Sequence, residues 1–126
     1  MEPIHLFELA ATQARWLSRS QATIAGNVSN ANTPGYRAQA VQPFAEVLDQ
    51  TQLDLAATDP NHLALSPAEQ ASFQVKDENP WETSDSGNTV SLESELIKAG
   101  DVQRDFSLNT NLVKAFHSML MQTVKT

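Results

Sequence analysis

Two narrow apolar stripes, one at each end of the chain, constrain this sequence more than anything else in it. The first runs Ile4, Phe7, Ala11, Ala14, Leu17, Ile24, Val28 and Ala31, in steps of three and four with polar Gln21 inside. A repeat near 3.5 residues is the pattern of a helix that packs along another helix. It predicts a helix from about residue 3 to residue 31. Pro3 is tolerated in the first turn, where a missing N–H matters least. Leu6 and Trp16 lie off the stripe and widen the apolar face. About 28 helical residues span about 42 Å, which is long for a chain of 126 residues. The second stripe runs Leu92, Leu96, Ala99, Phe106, Val113, Phe116 and Leu120, with Gln103 and Asn109 inside. It predicts a second helix from near Ser91 almost to Thr126. Ser91 is a good N-cap, and Glu93 and Glu95 favour the helix dipole. Gly100 costs about 1 kcal/mol relative to alanine and permits a bend.

The first stripe stops at a run of turn formers, Asn30-Ala31-Asn32-Thr33-Pro34-Gly35-Tyr36. Asparagine tolerates the left-handed conformation that ends many helices. Pro34 pushes Thr33 out of the helical region, and Pro-Gly suits the centre of a type II turn. The middle is irregular: five of the six prolines lie between Pro34 and Pro80. Phe44, Val47 and Leu48 mark a weak helix, and Thr58 to Asn61 a turn. Ser72 to Val75 alternates like a short strand, while Asn79-Pro80 and Ser84 to Asn88 read as loops. The fold class is mainly α. Long N- and C-terminal helices form a coiled-coil-like pair around a small irregular middle with room for short β structure. The expected division is residues 1–36, an axial helix and its turn; 37–88, the middle; and 89–126, the second axial helix.

Charge follows the same division. The chain carries −7, of which residues 43–90 hold −8, the first 42 residues +1 and the last 36 zero. Near-neutral ends suit close packing, and acids suit an outward surface. Asp49, Asp54, Glu78 and Glu82 are therefore expected away from the helix-packed face. No basic patch points to nucleic acid. The absence of cysteine excludes a disulfide scaffold, a thiolate zinc site and a thiol nucleophile. No apolar run approaches the length of a membrane span. Residues 1–17 lack a basic start followed by an apolar core, so no Sec-type signal is expected.

Catalytic chemistry is not indicated. There is no Gly-rich phosphate loop and no nucleophile elbow. His5, His62 and His117 stand alone, without a second ligand at helical spacing. A hydrolase built on His62 and Asp59 lacks a placed nucleophile and oxyanion donor. No cofactor, metal or small-molecule substrate is expected. A two-helix hairpin has one thin seam and is marginal by itself. The stripes therefore point to an assembly protein whose helices complete their packing against other chains. Gln21, Gln103 and Asn109 would set register at some cost in stability.

Residues 25–36, Ala-Gly-Asn-Val-Ser-Asn-Ala-Asn-Thr-Pro-Gly-Tyr, resemble the signature of the bacterial flagellar rod and hook proteins, Ala-Asn-Asn-Ile-Ala-Asn-x-x-Thr-Pro-Gly-Tyr. Asn27, Asn30, Asn32, Thr33, Pro34, Gly35 and Tyr36 carry it. Gly26 and Ser29 depart from the usual Asn and Ala. Thr58 to Leu63 resembles a Thr-x-x-x-His-Leu segment of the short proximal rod subunits. Gly87 to Glu95 resembles their Gly-Asn-x-Val-Asp-Leu-Glu-x-Glu, with Ser91 in place of Asp.

The resemblance implies an axial structural subunit of the basal body. Its terminal helices would form the inner layer of a helically stacked, torque-bearing tube, with the middle outside. It implies export by the flagellar type III apparatus without a cleaved signal. It also implies contacts with other copies, with the next rod protein FlgC, and with the adaptor FliE at the MS ring. Phe7, Leu17, Ile24, Val28, Leu96, Phe106, Val113, Phe116 and Leu120 are the expected packing residues. The alternative is a cytoplasmic flagellar secretion chaperone or adaptor, which is also small, acidic and helical.

Overall fold

A computed structural model describes residues 3–54, 73–80 and 82–125. Helix α1 spans Pro3–Ser29, strand β1 Gln39–Val41, helix α2 Phe44–Asp54, strand β2 Val75–Asp77 and helix α3 Leu92–Val124. The two long helices run antiparallel. Near the open end the Phe7 ring meets Phe116 edge-on, centroids 5.5 Å apart. One turn further on, the Asn109 amide donates to the Ala10 carbonyl at 3.0 Å. Such an edge-to-face pair adds roughly 0.5–1.5 kcal/mol to simple burial.

Local chemistry explains the ends of α3. The Ser91 backbone is extended, and its Oγ accepts from the Ser94 N–H, with Glu93 and Glu95 in the first turn. Gly100 lies within the unbroken helix. Helix α1 ends differently from the sequence expectation. No described non-glycine residue takes a positive φ, so no asparagine supplies a left-handed cap. The last turn instead tightens: Asn30 N–H reaches both the Gly26 and Asn27 carbonyls at 3.2 Å, and Ala31 N–H reaches Val28. Such three-residue hydrogen bonds satisfy terminal carbonyls without left-handed backbone.

The middle is a two-stranded antiparallel sheet and one short helix. Gln39 pairs with Asp77, Ala40 with Lys76 and Val41 with Val75. Hydrogen bonds from Gln42 N–H to Gln74 and from Glu78 N–H to Ala38 extend the ladder by a residue at each end. The sequence places a strand at Ser72 to Val75. The structure places it at Val75–Asp77, because the partner strand, which has no alternation of its own, sets the register. Trp16 holds this layer to α1: its indole N–H donates to the Gln42 carbonyl at 2.7 Å, and its ring lies 5.7 Å from that of Phe44. The expected turn at Thr58 to Asn61 lies outside the described residues.

The interior is thin and polar. Among the described residues only Ala10, Leu17, Ala38 and Val47 are buried hydrophobics, whereas Ser20, Asn27, Gln42, Asn88, Glu95 and Asn109 are buried polars. Leu96, Ile97, Leu108 and Val124 stay about two-thirds exposed or more. The expected outward acids divide. Asp49 and Glu82 are exposed, but Glu78 is half-buried against α3, bonded to Lys98. The Asp54 side chain lies outside the described residues. Opposite charge explains Glu78: a lysine on the helix draws it in.

The Asn109 carbonyl oxygen is buried without a partner, and leucine would remove that desolvation. In Asn109→Leu the midpoint of thermal unfolding, followed by circular dichroism, should hold or rise, by up to about 1 kcal/mol of stability. A marked fall would show that the amide contributes more than register.

Candidate functional site, a polar junction at the head of the helix pair

The sequence stretch ending α1 and the one opening α3 meet in a junction made almost entirely of backbone and amide groups. Asn27 is fully buried. Its Nδ2 donates to the Gln39 carbonyl at 2.8 Å, and its Oδ1 accepts from Gln39 N–H at 3.0 Å. An amide side chain can do both at once, so it pairs with the backbone as a neighbouring strand would. The Tyr36 hydroxyl donates to the same oxygen at 3.3 Å. The intervening turn is of type II: Tyr36 N–H returns to the Thr33 carbonyl at 3.2 Å and Gly35 has φ +73°.

From the other side, Asn88 closes the junction. Its Nδ2 donates to the carbonyls of Asn30 and Thr33, both at 2.8 Å. Its Oδ1 accepts from Val90 N–H at 2.8 Å. Both carbonyls lie just beyond the end of α1 and already accept one backbone hydrogen bond each, from Thr33 N–H and Tyr36 N–H, so the Asn88 amide fills their second lone pairs and clamps the turn. Backbone bonds run alongside, from Gly35 N–H to Ser86 and from Thr89 N–H to Tyr36, at 3.0 and 3.1 Å. The Thr89 hydroxyl accepts from Ala38 N–H at 2.8 Å. Gly87, φ +81°, brings its backbone against that of Gly35, and a Cβ there would sit 3.6 Å from the Gly35 Cα.

Beneath the junction lies a charge triad. The Lys98 ammonium donates to both Glu78 oxygens, at 2.7 and 2.6 Å, and to Glu95 at 3.0 Å. Glu95 is 1% exposed, and its second oxygen has no partner. Burial pushes the Lys98 pKa down, but the hydrogen bonds and charges of Glu78 and Glu95 outweigh it and hold it above the usual 10.5. The triad ties β2's end to α3 across 20 residues of sequence.

The signature residues do not all act alike. Asn27, Asn30, Gly35 and Tyr36 build the junction. The Asn30 amide also donates to the Gly26 carbonyl at 2.8 Å, and the Thr33 hydroxyl donates to the Asn30 Oδ1 at 3.2 Å. Asn32 and Pro34 are exposed. The expected packing residues fall into two groups. Leu17 is buried, while Phe7, Ile24, Val113, Phe116 and Leu120 are half-buried. Val28, Phe106 and Leu96 are exposed, by 42, 45 and 69%. Sequence reasoning missed the clamp of Asn88 and the Glu95–Lys98–Glu78 triad. Gly87-Asn88 signals a turn, and nothing local reveals that its amide clamps another turn 55 residues earlier. His62 lies outside the described residues. Among the described residues no cluster of three or more metal-ligating side chains occurs.

This junction is composed of the residues of a recurring sequence pattern. A family model described as flagella basal body rod protein matches residues 9–37, which covers most of α1 and the turn. The flagellar basal body rod protein FlgB of Agrobacterium fabrum is 44% identical over 99% of this chain and 96% of its own length. FlgB of Proteus mirabilis strain HI4320 is 28% identical over 83% of this chain and 85% of its own. The chain belongs to the flagellar basal-body rod proteins, structural subunits rather than enzymes. Within them it belongs to the FlgB family.

Two predictions follow from the geometry. Asn27→Asp keeps the acceptor but loses the donor, and it sets a carboxylate against the Gln39 carbonyl. It should cost roughly 2–4 kcal/mol of unfolding stability in a denaturant titration, more than the isosteric change suggests. The second concerns pH. A folded-state pKa raised for Lys98 gives stability that is complete below the ordinary lysine value and is lost as pH climbs through the folded one. The melting temperature should be level with respect to this group at neutral pH and fall above about pH 10.5. That alkaline step should vanish in Lys98→Met, which should melt lower throughout because Glu95 is left unpaired.

Proposed function

We propose that this chain is the proximal rod subunit, laid down at the base of the rod through its terminal helices. The observation that carries this reading is the outer face of α3. Leu96, Ile97, Leu108, Leu112 and Met119 are each about half or more exposed on a helix already committed to α1 along another face. A 33-residue helix that leaves so much apolar surface open suits burial against further chains, at roughly 25 cal/mol per Å² removed from water.

In this reading residues 1–36 and 89–126 are the axial helices, and residues 37–88 face outward. The turn from Asn32 to Tyr36 redirects the chain from the inner layer to the outer one. Phe7, Leu17, Ile24, Val28, Leu96, Phe106, Val113, Phe116 and Leu120 form the packing surfaces, within the chain and between chains. The rod then starts on the adaptor FliE at the MS ring and continues with FlgC. The subunit arrives through the flagellar export apparatus without a cleaved leader. The FlgB relatives are themselves named as basal-body rod proteins, which supports the placement.

Phe116 sits at the Phe7 contact, where a carboxylate has no partner. Phe116→Asp should be synthesised at normal level yet be absent from purified basal bodies, with loss of swimming. Normal incorporation of the variant would sink the proposal.

A further inference from the structure

We propose that the cleft between α1, β1 and α3 is a docking site for an arginine side chain, carried on an apolar segment of a different, basic protein. The cleft is separate from the exposed apolar face of α3. Its chemistry does not depend on the place the chain takes in the rod.

The cleft has a volume of about 260 Å³. Pockets for drug-sized ligands run from roughly 300 to 1,000 Å³, so this one suits a single long side chain. Its walls are largely apolar: Ile24 comes from α1, Val41 from β1 and Val102 from α3. Trp16 offers its ring, because its indole N–H is already engaged by the Gln42 carbonyl at 2.7 Å. Among these walls stand charges. Glu95, Asp101 and Asp105 line the cleft together with Lys98, three carboxylates against one ammonium. Lys98 is held by both Glu78 and Glu95, so it offers no free cation to an anion. The cleft is apolar and net negative.

Glu95 adds its own demand for positive charge. It is 1% exposed. One oxygen accepts from Lys98 at 3.0 Å, and the other is buried without a partner. A cation in the cleft offsets that carboxylate without touching it, because charges interact strongly where little water intervenes. Arginine fits better than lysine. Apolar walls cover its aliphatic stem, and an indole ring favours the guanidinium plane. Asp101 and Asp105 are four residues apart on one helix face and present two carboxylates to its fork, whereas lysine brings a point charge. The chain's own Arg104 lies 3.2 Å from Asp101 and 3.8 Å from Asp105. It is 73% exposed, and an ion pair so exposed is weak enough to yield to an incoming guanidinium.

A second copy is a poor source of that arginine. The chain holds 15 acids and eight bases, so like charge opposes its approach to an acidic cleft. Of its four arginines, Arg37 and Arg104 pair with Asp77 and Asp101 of their own chain. Arg15 also has a partner within the chain. Arg19 sits between Ser18 and Ser20, with no apolar neighbour to enter the cleft beside it. The occupant is a protein that is basic where it meets this chain, with its arginine set between aliphatic residues.

Trp16 reports on the site. The chain has two tryptophans, so in Trp81→Phe the indole emission comes from the cleft alone. The probe is the capped tripeptide acetyl-Leu-Arg-Leu-amide, titrated into the full-length chain. Trp16 emission should change saturably. The matching lysine peptide should bind at least about fivefold more weakly. The citrulline peptide, which keeps the shape and loses the charge, should bind at least about tenfold more weakly. Asp101→Asn/Asp105→Asn should weaken the arginine peptide about tenfold or more, with helix content by circular dichroism unchanged. Asp49→Asn, outside the cleft, should leave its binding as it is. Butylguanidinium, the same head group without a peptide, should bind at least about tenfold more weakly than the peptide.

No saturable change, equal binding of the citrulline peptide, or full affinity in the double asparagine variant overturns the site. Butylguanidinium binding as tightly as the peptide assigns the cleft to a free small cation and overturns the docking of a protein. A Trp16 change that follows the concentration of the chain itself, without peptide, assigns the cleft to a second copy and overturns it too. Each of these outcomes leaves the rod reading standing, because that reading is tested by incorporation into basal bodies.

Discussion

Everything else in the molecule depends on one pairing, the buried amide of Asn27 against the backbone of Gln39. It fixes where the chain leaves α1 and in which direction, and so where β1 begins. Once β1 is placed, β2 pairs with it, and Glu78 at its end arrives beside Lys98. Asn88 then joins the start of α3 to the same point by donating to the Asn30 and Thr33 carbonyls in the turn that follows α1. The antiparallel helix pair is thereby anchored at one end by hydrogen bonds rather than by apolar bulk. Hydrogen bonds are directional and steeply distance-dependent, so they define an angle that an apolar contact does not.

That choice has a consequence at the other end. The helices extend far beyond the junction with little of their own to bury against. Four buried hydrophobics among the described residues make a thin core for a chain of this size. A single chain held tightly at its head and thinly packed along its shaft suits a subunit of a larger wall. In such a wall neighbouring chains supply the missing apolar partners, while the head keeps each subunit's geometry constant.

Charge is arranged to the same end. The acidic middle is not simply a solvated coat. Glu78 is recruited to the helix, where Lys98 offsets it and Glu95 together. Burying ion pairs seldom adds much net stability, so the triad is better understood as a device that specifies where the sheet meets α3. The exposed acids Asp49 and Glu82 remain free to act as solubilising charge.

The two long helices were legible in the sequence because their stripes repeat every three or four residues, and helix periodicity is a local property. The type II turn at Pro34-Gly35 was legible for the same reason: proline fixes one dihedral and glycine permits the next. The signature itself marked Asn27, but not what its amide holds. The strand Gln39–Val41, the clamp by Asn88 and the triad at Lys98 are contacts between residues 12, 55 or 20 positions apart. No local pattern encodes such pairs. The sequence alone determined which segments are helical and where the chain must turn, because those are matters of backbone propensity and periodicity. Only the tertiary structure decided which carbonyls meet which amides, because satisfying a buried polar group depends on whatever partner the fold brings within 3 Å.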